Sequence, residues 1–177
     1  HSTGPEIWQQ TAGRVDIVIA SVGTGGTLSG AGKYLRQLNP DVQLIAVEPG
    51  VHSIPDRDNP EAKEITGVHA FSTVTPERVP LTLDRELFDE AYAVESWQAV
   101  QVAREVAVTD GILVGESSGA VLFAAREIAR RPENKGKRIV TILADSGLTY
   151  LSTGLFNPQL SVEQIKISAL LKSQVPA

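Results

Sequence analysis

The 177-residue sequence contains no cysteine and no methionine, and it has only three histidines. Without cysteine the chain forms no disulfide, binds no metal through thiolate and has no cysteine nucleophile. The histidines are His1, His52 and His69, and their wide spacing matches no metal-binding motif. We therefore expect no metal site. Methionine is missing even at position 1, which indicates a piece of a longer protein or a processed product.

Strong positive charge and long apolar runs are missing as well. The formal net charge is −5, whereas a nucleic-acid partner usually requires a clustered basic surface, so none is expected. The longest apolar runs, such as residues 15–22, are far too short to cross a bilayer, so no membrane partner is expected. No secretory signal is visible. We expect a cytoplasmic protein, with an organelle as the alternative.

Apolar runs and helical patterns alternate along the chain in the order of a doubly wound α/β domain. Nearly continuous apolar runs predict buried parallel strands at residues 15–21, 42–47 and 138–144, and residues 90–94 predict another short strand. Helices are predicted in the first dozen residues and at 27–38, 96–109, 117–131 and 161–172. The helices at 96–109 and 117–131 are expected to begin at serine caps. We expect one domain over residues 1–177, with helices on both faces of a three-layer, mostly parallel sheet.

Residues 49–90 differ from the rest of the chain. They hold five of its ten prolines together with many charges. Proline and charge in such density favour turns over regular elements. We predict a long surface excursion there, and such loops are uncommon unless they are functional.

The most informative segment connects the first predicted strand to the helix that follows it. It consists of Gly23, Thr24, Gly25, Gly26 and Thr27. A glycine turn between strand and helix places backbone N–H groups and two hydroxyls at a helix N-terminus, where the macrodipole favours an anion. The segment therefore predicts a phosphate site.

Two kinds of phosphate ligand fit this segment. The Gly23-x-Gly25 spacing, with Glu48 at the end of the next strand, is part of a dinucleotide fingerprint in which an acid holds the ribose. However, Leu28 stands where that fingerprint has glycine or alanine. The threonine hydroxyls suit a terminal phosphate monoester better. A nucleotide-binding domain of an NAD-dependent dehydrogenase remains the alternative.

Two later segments could also carry chemistry. Residues 115–119, Gly-Glu-Ser-Ser-Gly, match the nucleophile elbow of hydrolases. Such a hydrolase needs a histidine downstream of its serine, and the last histidine here is His69, so we interpret this segment as a helix start. Asp145-Ser146-Gly147 follows the last predicted strand, where open α/β sheets place their ligands.

Taken together, the segments resemble cysteine synthases (O-acetylserine sulfhydrylases), and cystathionine β-synthases share much of the pattern. The segments that carry this resemblance, in chain order, are residues 3–8 (TGPEIW), 23–27 (GTGGT), 47–49 (VEP), 113–120 (LVGESSGA), 131–137 (RPENKGK) and 145–153 (DSGLTYLST). The resemblance implies a pyridoxal-phosphate enzyme of the tryptophan-synthase-β type (fold type II), with this chain forming part of its large domain. It also implies a homodimer, and some members of the family bind serine acetyltransferase.

The resemblance implies a role for each matching residue. The five residues from Gly23 to Thr27 would hold the phosphate of pyridoxal 5'-phosphate, and Ser146 would hydrogen-bond the pyridine nitrogen. A serine at that nitrogen leaves the ring largely neutral and a weaker electron sink. The implied reaction is β-replacement on an amino-acid substrate, in which acetate leaves O-acetylserine and sulfide takes its place to give cysteine.

The sequence departs from the family pattern in two respects. The Schiff-base lysine of the family lies in an N-terminal portion that this chain does not contain, so no catalytic residue is expected here and the isolated chain is expected to be inactive. A non-catalytic truncated paralogue is therefore a further alternative. At the segment that lines the substrate entrance, the family commonly has Gly-Ile-Gly, whereas this chain has Gly67-Val68-His69. His69 is either a harmless surface imidazole or a determinant of the nucleophile, with homocysteine as the alternative to sulfide.

Overall fold

Four parallel strands form the sheet in the computed structural model, which describes residues 2–156. The strands are β1 (Ile17–Ser21), β2 (Gln43–Pro49), β3 (Glu90–Val94) and β4 (Ile139–Thr141). Their order across the sheet is β3-β2-β1-β4. The register pairs Ile17 of β1 with Gln43 of β2 on one side and with Ile139 of β4 on the other.

Helices cover both faces of this sheet. They are α1 (Thr3–Gln10), α2 (Gly26–Leu38), α3 (Ser96–Thr109) and α4 (Glu116–Ala129). Side chains alternate between the faces along β1, as they do in any strand. Val18 and Ala20 join the core cluster that includes α1 and α2, whereas Ile17 and Ile19 join the cluster of α4. The predicted three-layer, doubly wound α/β fold is therefore confirmed.

The strand order reverses between β1 and β4. From β1 the chain proceeds outward to β2 and β3, and it then returns past β1 to add β4 on the other side. The segments that leave the carboxyl ends of β1 and β4 therefore flank a topological switch point. Open α/β sheets bind their ligands at such points.

Several element boundaries differ from the predicted ones. β4 pairs with β1 over only three residues instead of spanning 138–144. The N-cap of α3 is Glu95 and not Ser96. The side chains of Glu95 and Gln98 form a reciprocal capping box. The cap of α4 is Gly115, so its serines lie inside the first turn. The predicted helix at 161–172 lies outside the described residues.

The segment between β2 and β3 contains little regular structure. Two 3₁₀ turns, Val51–Ser53 and Pro76–Arg78, are its helical elements. It nevertheless contributes to the core, because four of its apolar side chains are at most 7% exposed, namely Ile65, Val68, Phe71 and Leu83.

In residues 2–156, no helix is long and apolar enough to cross a membrane.

Candidate functional site

The glycine-rich loop (residues 23–27) leads from the end of β1 into α2. Gly25 is the N-cap of α2 and has a φ of +86°, a conformation that glycine adopts at little cost. The first hydrogen bond of the helix runs from the Ser29 amide to the Gly25 carbonyl at 3.0 Å. The amides of Thr27 and Leu28 have no carbonyl four residues back within the helix, so they are available to an anion. The Gly26 amide donates to the Thr24 hydroxyl at 3.3 Å. The side chains of Thr24 and Thr27 are exposed beside them.

A second segment supports the start of the loop from behind. The amide of His69 donates to the Val22 carbonyl at 2.7 Å. The Gly67 carbonyl lies so close to Gly23 that a Cβ added there would be 2.7 Å from its oxygen. The two residues predicted to line the substrate entrance, Gly67 and His69, therefore lie against the predicted phosphate loop. The side chain of His69 is exposed.

A third segment supports the middle of the loop. A Cβ added at Gly25 would lie 2.6 Å from the Leu83 Cβ and 2.7 Å from its Cα. The Thr82 hydroxyl donates to the Thr24 carbonyl, and the Asp84 amide donates to the Ser29 hydroxyl at 2.9 Å. The excursion between β2 and β3 thus touches the glycine-rich loop at two places. These contacts fix the shape of a loop that has few side chains of its own.

Glu48, at the end of β2, binds one end of the segment that contains Gly67 and His69. Its carboxylate is 5% exposed and accepts bonds from the amides of Phe71 and Ser72 at 2.9 and 3.0 Å, and from the Ser72 hydroxyl. These donors occupy the carboxylate, so it is not free to hold a ribose. The dinucleotide alternative thereby loses one of its two supporting features, and the glycine spacing of the loop is the other.

Glu116, in the first turn of α4, holds the other end. Its carboxylate is buried and accepts bonds from the Lys63 ammonium at 2.8 Å, the Thr66 hydroxyl at 3.0 Å and the Thr66 amide at 3.2 Å. The sequence pattern did not indicate that this group belongs to the site. The one feature that could have indicated it is a charged residue in a helix start made otherwise of small residues.

The turn that carries Ser146 lies at the carboxyl end of β4. Ser146 forms an antiparallel bridge with Val114, and the Gly115 amide donates to the Asp145 carbonyl at 3.1 Å. The Ser146 side chain is exposed. Its oxygen accepts a bond from the Leu148 amide at 3.4 Å, which leaves the hydroxyl proton available for a donor bond.

Tyr150 stabilises this turn. Its hydroxyl donates to the Asp145 carboxylate at 2.6 Å. Burial, followed by the hydrogen bond to Asp145, raises the pKa of Tyr150 to about 12. The phenol therefore stays protonated and continues to donate throughout the neutral range.

The structure brings the predicted site residues together unequally. The glycine-rich loop is in direct contact with the Gly67–His69 segment. Ser146 is connected to that segment through the start of α4, where Gly115 binds the Ser146 turn and Glu116 binds Thr66. The start of α4 is thus the structural link between the two ends of the predicted cofactor site.

Two cavities lie beside these segments. One, of about 550 Å³, runs between α1 and α2 and reaches Gly26 and Thr27 at one end. The other, of about 280 Å³, lies between β2 and the excursion and is lined by His69, Glu64 and Arg78 among others. Neither cavity includes Ser146. Within residues 2–156, no three histidine, aspartate or glutamate side chains are placed to hold a metal ion.

Comparison with known proteins identifies the relatives of the chain. Residues 1–145 match the family described as "Pyridoxal-phosphate dependent enzyme". Cysteine synthase 3 of Caenorhabditis elegans is 43% identical over 95% of this chain and 48% of its own length. A cysteine synthase of Buchnera aphidicola is 39% identical over 88% of this chain and 50% of its own length. The chain spans about half the length of these curated relatives.

Solved structures give the same result. The crystal structure of O-acetyl serine sulfhydrylase isoform 3 from Entamoeba histolytica has a TM-score of 0.73 and 36% identity, over 96% of this chain and 49% of that one. A second similar structure, titled O-ureido-L-serine synthase, has a TM-score of 0.74 and 34% identity, over 88% of this chain and 48% of that one.

Proposed function

The chain belongs to the pyridoxal-phosphate-dependent enzymes, and we propose that it supplies the phosphate-binding and pyridine-binding part of a cysteine synthase. The proposed reaction joins O-acetylserine and sulfide to give cysteine and acetate. The observation that carries the proposal is the glycine-rich loop at the topological switch point, at the same edge of the sheet as the turn that bears Ser146. The expected fold, the family and its cofactor are confirmed by the comparisons, while the reaction is our proposal.

The residues of the loop fit the phosphate of the cofactor. The first-turn amides of Thr27 and Leu28 and the exposed hydroxyls of Thr24 and Thr27 offer donors to a dianionic monoester. The residues predicted to bind it are Gly23, Thr24, Gly25, Gly26 and Thr27. Gly25 must lack a side chain because Leu83 fills the space behind it. When bound, the cofactor supplies the electron sink that makes the β-substituent of an amino acid a leaving group.

Ser146 fits the pyridine nitrogen at the other end of the cofactor. Its hydroxyl can donate to an unprotonated ring nitrogen, and it carries no charge that would keep that nitrogen protonated. A neutral ring is the weaker sink, which suits a reaction in which the electrons leave with acetate. We expect the aspartate variant, Ser146→Asp, to slow cysteine formation more than Ser146→Ala, because it would favour ring protonation.

No residue of this chain is assigned as the catalytic base. The Schiff-base lysine is proposed to come from the part of the relatives' length that the chain does not span. The missing N-terminal half of the same enzyme is therefore its first partner. We further propose a homodimer, with serine acetyltransferase as a second protein partner and the cytoplasm as the compartment.

A single assay tests the proposed reaction. The chain alone and the chain extended by the residues encoded upstream are each supplied with pyridoxal 5'-phosphate, O-acetylserine and sulfide. The extended protein should form cysteine and acetate in equal amounts, and the chain alone should form neither. Cysteine formation at a normal enzyme rate by the chain alone would refute the missing-lysine proposal, and inactivity of the extended protein would refute the proposed reaction.

His69 allows the nucleophile to be tested in the same assay. Its exposed imidazole lines the smaller cavity beside the predicted phosphate loop. We expect sulfide to be preferred, with homocysteine as the alternative. Comparing the two nucleophiles in the extended protein and in its His69→Gly variant decides whether this position sets the preference; an unchanged ratio would make His69 a surface residue without that role.

A further inference from the structure

Glu116 is a buried carboxylate that the proposed function does not use. It is 4% exposed, yet the charged partner that it has within residues 2–156, Lys63, has a side chain that is 42% exposed. A buried carboxylate is costly unless it is hydrogen-bonded and paired. Here three donors from an irregular segment converge on it, and the N-terminus of α4 adds a favourable dipole.

The position of Glu116 explains why such a group would be retained. On one side, Gly115 binds the Asp145 carbonyl, next to Ser146. On the other side, Thr66 is followed by Gly67, whose carbonyl packs on Gly23. The carboxylate therefore connects the turn at the pyridine end of the proposed cofactor to the segment behind its phosphate end.

The loop itself lacks the means to fix this geometry. Three of its five residues are glycine, and glycine has the least backbone preference of any residue. The start of the loop is supported by the segment at 63–72 (the tethered segment), which is held by Glu116 at one end and by Glu48 at the other. Glu48 holds that segment to the sheet, whereas Glu116 holds it to the helix whose N-cap, Gly115, binds the Ser146 turn.

We propose that Glu116 is a positioning residue, which acts through Lys63 and Thr66 to fix the glycine-rich loop and the Ser146 turn at the spacing that one cofactor requires. This inference rests on the proposed function for its catalytic meaning. It requires no contact between Glu116 and the cofactor. It also assigns Lys63 to pairing with a buried charge and not to covalent chemistry.

The first test measures the tethered segment without any cofactor. Hydrogen exchange of the His69 amide reports its bond to the Val22 carbonyl. Glu116→Gln and Lys63→Met should each accelerate this exchange about tenfold or more, because a charge-assisted hydrogen bond is lost. Lys63→Arg, which keeps the charge, should restore slow exchange. Glu127→Gln, which removes a half-buried carboxylate that pairs with Arg130 at the far end of the same helix, should leave it unchanged.

The second test measures the proposed role. The extended protein and the same variants are titrated with pyridoxal 5'-phosphate and with pyridoxal, which lacks the phosphate. Glu116→Gln and Lys63→Met should reduce the ratio of the two affinities, and Lys63→Arg should restore it. The proposal would be overturned if both variants kept the affinity ratio and the His69 exchange rate of the unsubstituted protein. It would also be overturned if the substitutions accelerated the exchange of all amides equally.

The two tests separate the inference from the proposed function. If the unsubstituted protein binds both ligands equally, the phosphate role of the loop fails, and the exchange of the His69 amide still decides whether Glu116 holds the tethered segment. If it prefers pyridoxal 5'-phosphate and Glu116→Gln keeps that preference in full, only the positioning role of Glu116 fails.

Discussion

Replacing Gly25 by alanine should distort the glycine-rich loop and destabilise the chain. The substitution has two costs. A φ of +86° is unfavourable for an L-residue by about 1–2 kcal/mol. The new Cβ would also lie 2.6 Å from the Leu83 Cβ and 2.7 Å from its Cα, and because Cα is backbone, the segment as a whole must move. Overpacking of this kind costs about 1–3 kcal/mol.

Gly136 provides a matched control for the first of these costs. It has a φ of +81°, and a Cβ added there would meet nothing within 4 Å. Gly136→Ala should therefore lose about 1–2 kcal/mol of unfolding free energy, and Gly25→Ala about 2–5 kcal/mol. With a urea slope of about 2 kcal/mol per M, the two midpoints should differ by about 0.5–1.5 M.

Urea unfolding followed by circular dichroism gives the comparison directly. Equal midpoints for the two variants would refute the reasoning, because they would show that Leu83 does not press on the loop. A midpoint for Gly25→Ala above that of the unsubstituted chain would refute the positive φ as well.

Two further predictions concern helix packing and the Tyr150 bond. Gly119→Ala should destabilise the chain by about 1–3 kcal/mol, because the new Cβ would lie 2.1 Å from the Ala99 carbonyl oxygen. Gly30→Ala, in open space within α2, should stabilise the chain by about 0.5–1 kcal/mol. Urea midpoints of the two variants that move in the same direction would contradict this prediction. The pKa of Tyr150, raised to about 12 from an ordinary 10.0, stabilises the fold below pH 10, and about 2 kcal/mol of this stabilisation is lost as the pH rises from 10 to 12. Tyr150→Phe should lack this loss in unfolding measured from pH 9 to 12, and parallel curves for the two proteins would refute the assignment.

The features that sequence predicted well depend on local patterns. Apolar runs identified the central strands because a parallel strand is buried on both faces, and the switch of pattern at Gly23 marked the start of α2. The Ser96 cap was wrong because local preference was the only guide. In the structure, the Ser96 amide binds the Ser53 hydroxyl at 2.7 Å, across 43 residues of sequence, while Glu95 and Gln98 form the cap.

The supporting parts of the site could not be predicted for the same reason. Lys63 and Glu116 are 53 residues apart in the sequence, and nothing local indicates that they meet. The contact of Leu83 with Gly25 likewise depends on how an irregular segment folds back over the sheet. The groups proposed to touch a cofactor were named from the sequence and stay a prediction, whereas the structure was needed to find the residues that hold the loop in place.

The central claim is that the glycine-rich loop binds the phosphate of pyridoxal 5'-phosphate. The most direct measurement is the affinity of the extended protein for pyridoxal 5'-phosphate relative to pyridoxal, with and without the substitutions Thr24→Ala and Thr27→Ala. We predict at least about tenfold tighter binding of the phosphorylated ligand, as the loss of charge-assisted hydrogen bonds implies, and we predict that the double variant removes most of that preference. Equal affinities for the two ligands, or a preference that survives the double variant unchanged, would contradict the claim.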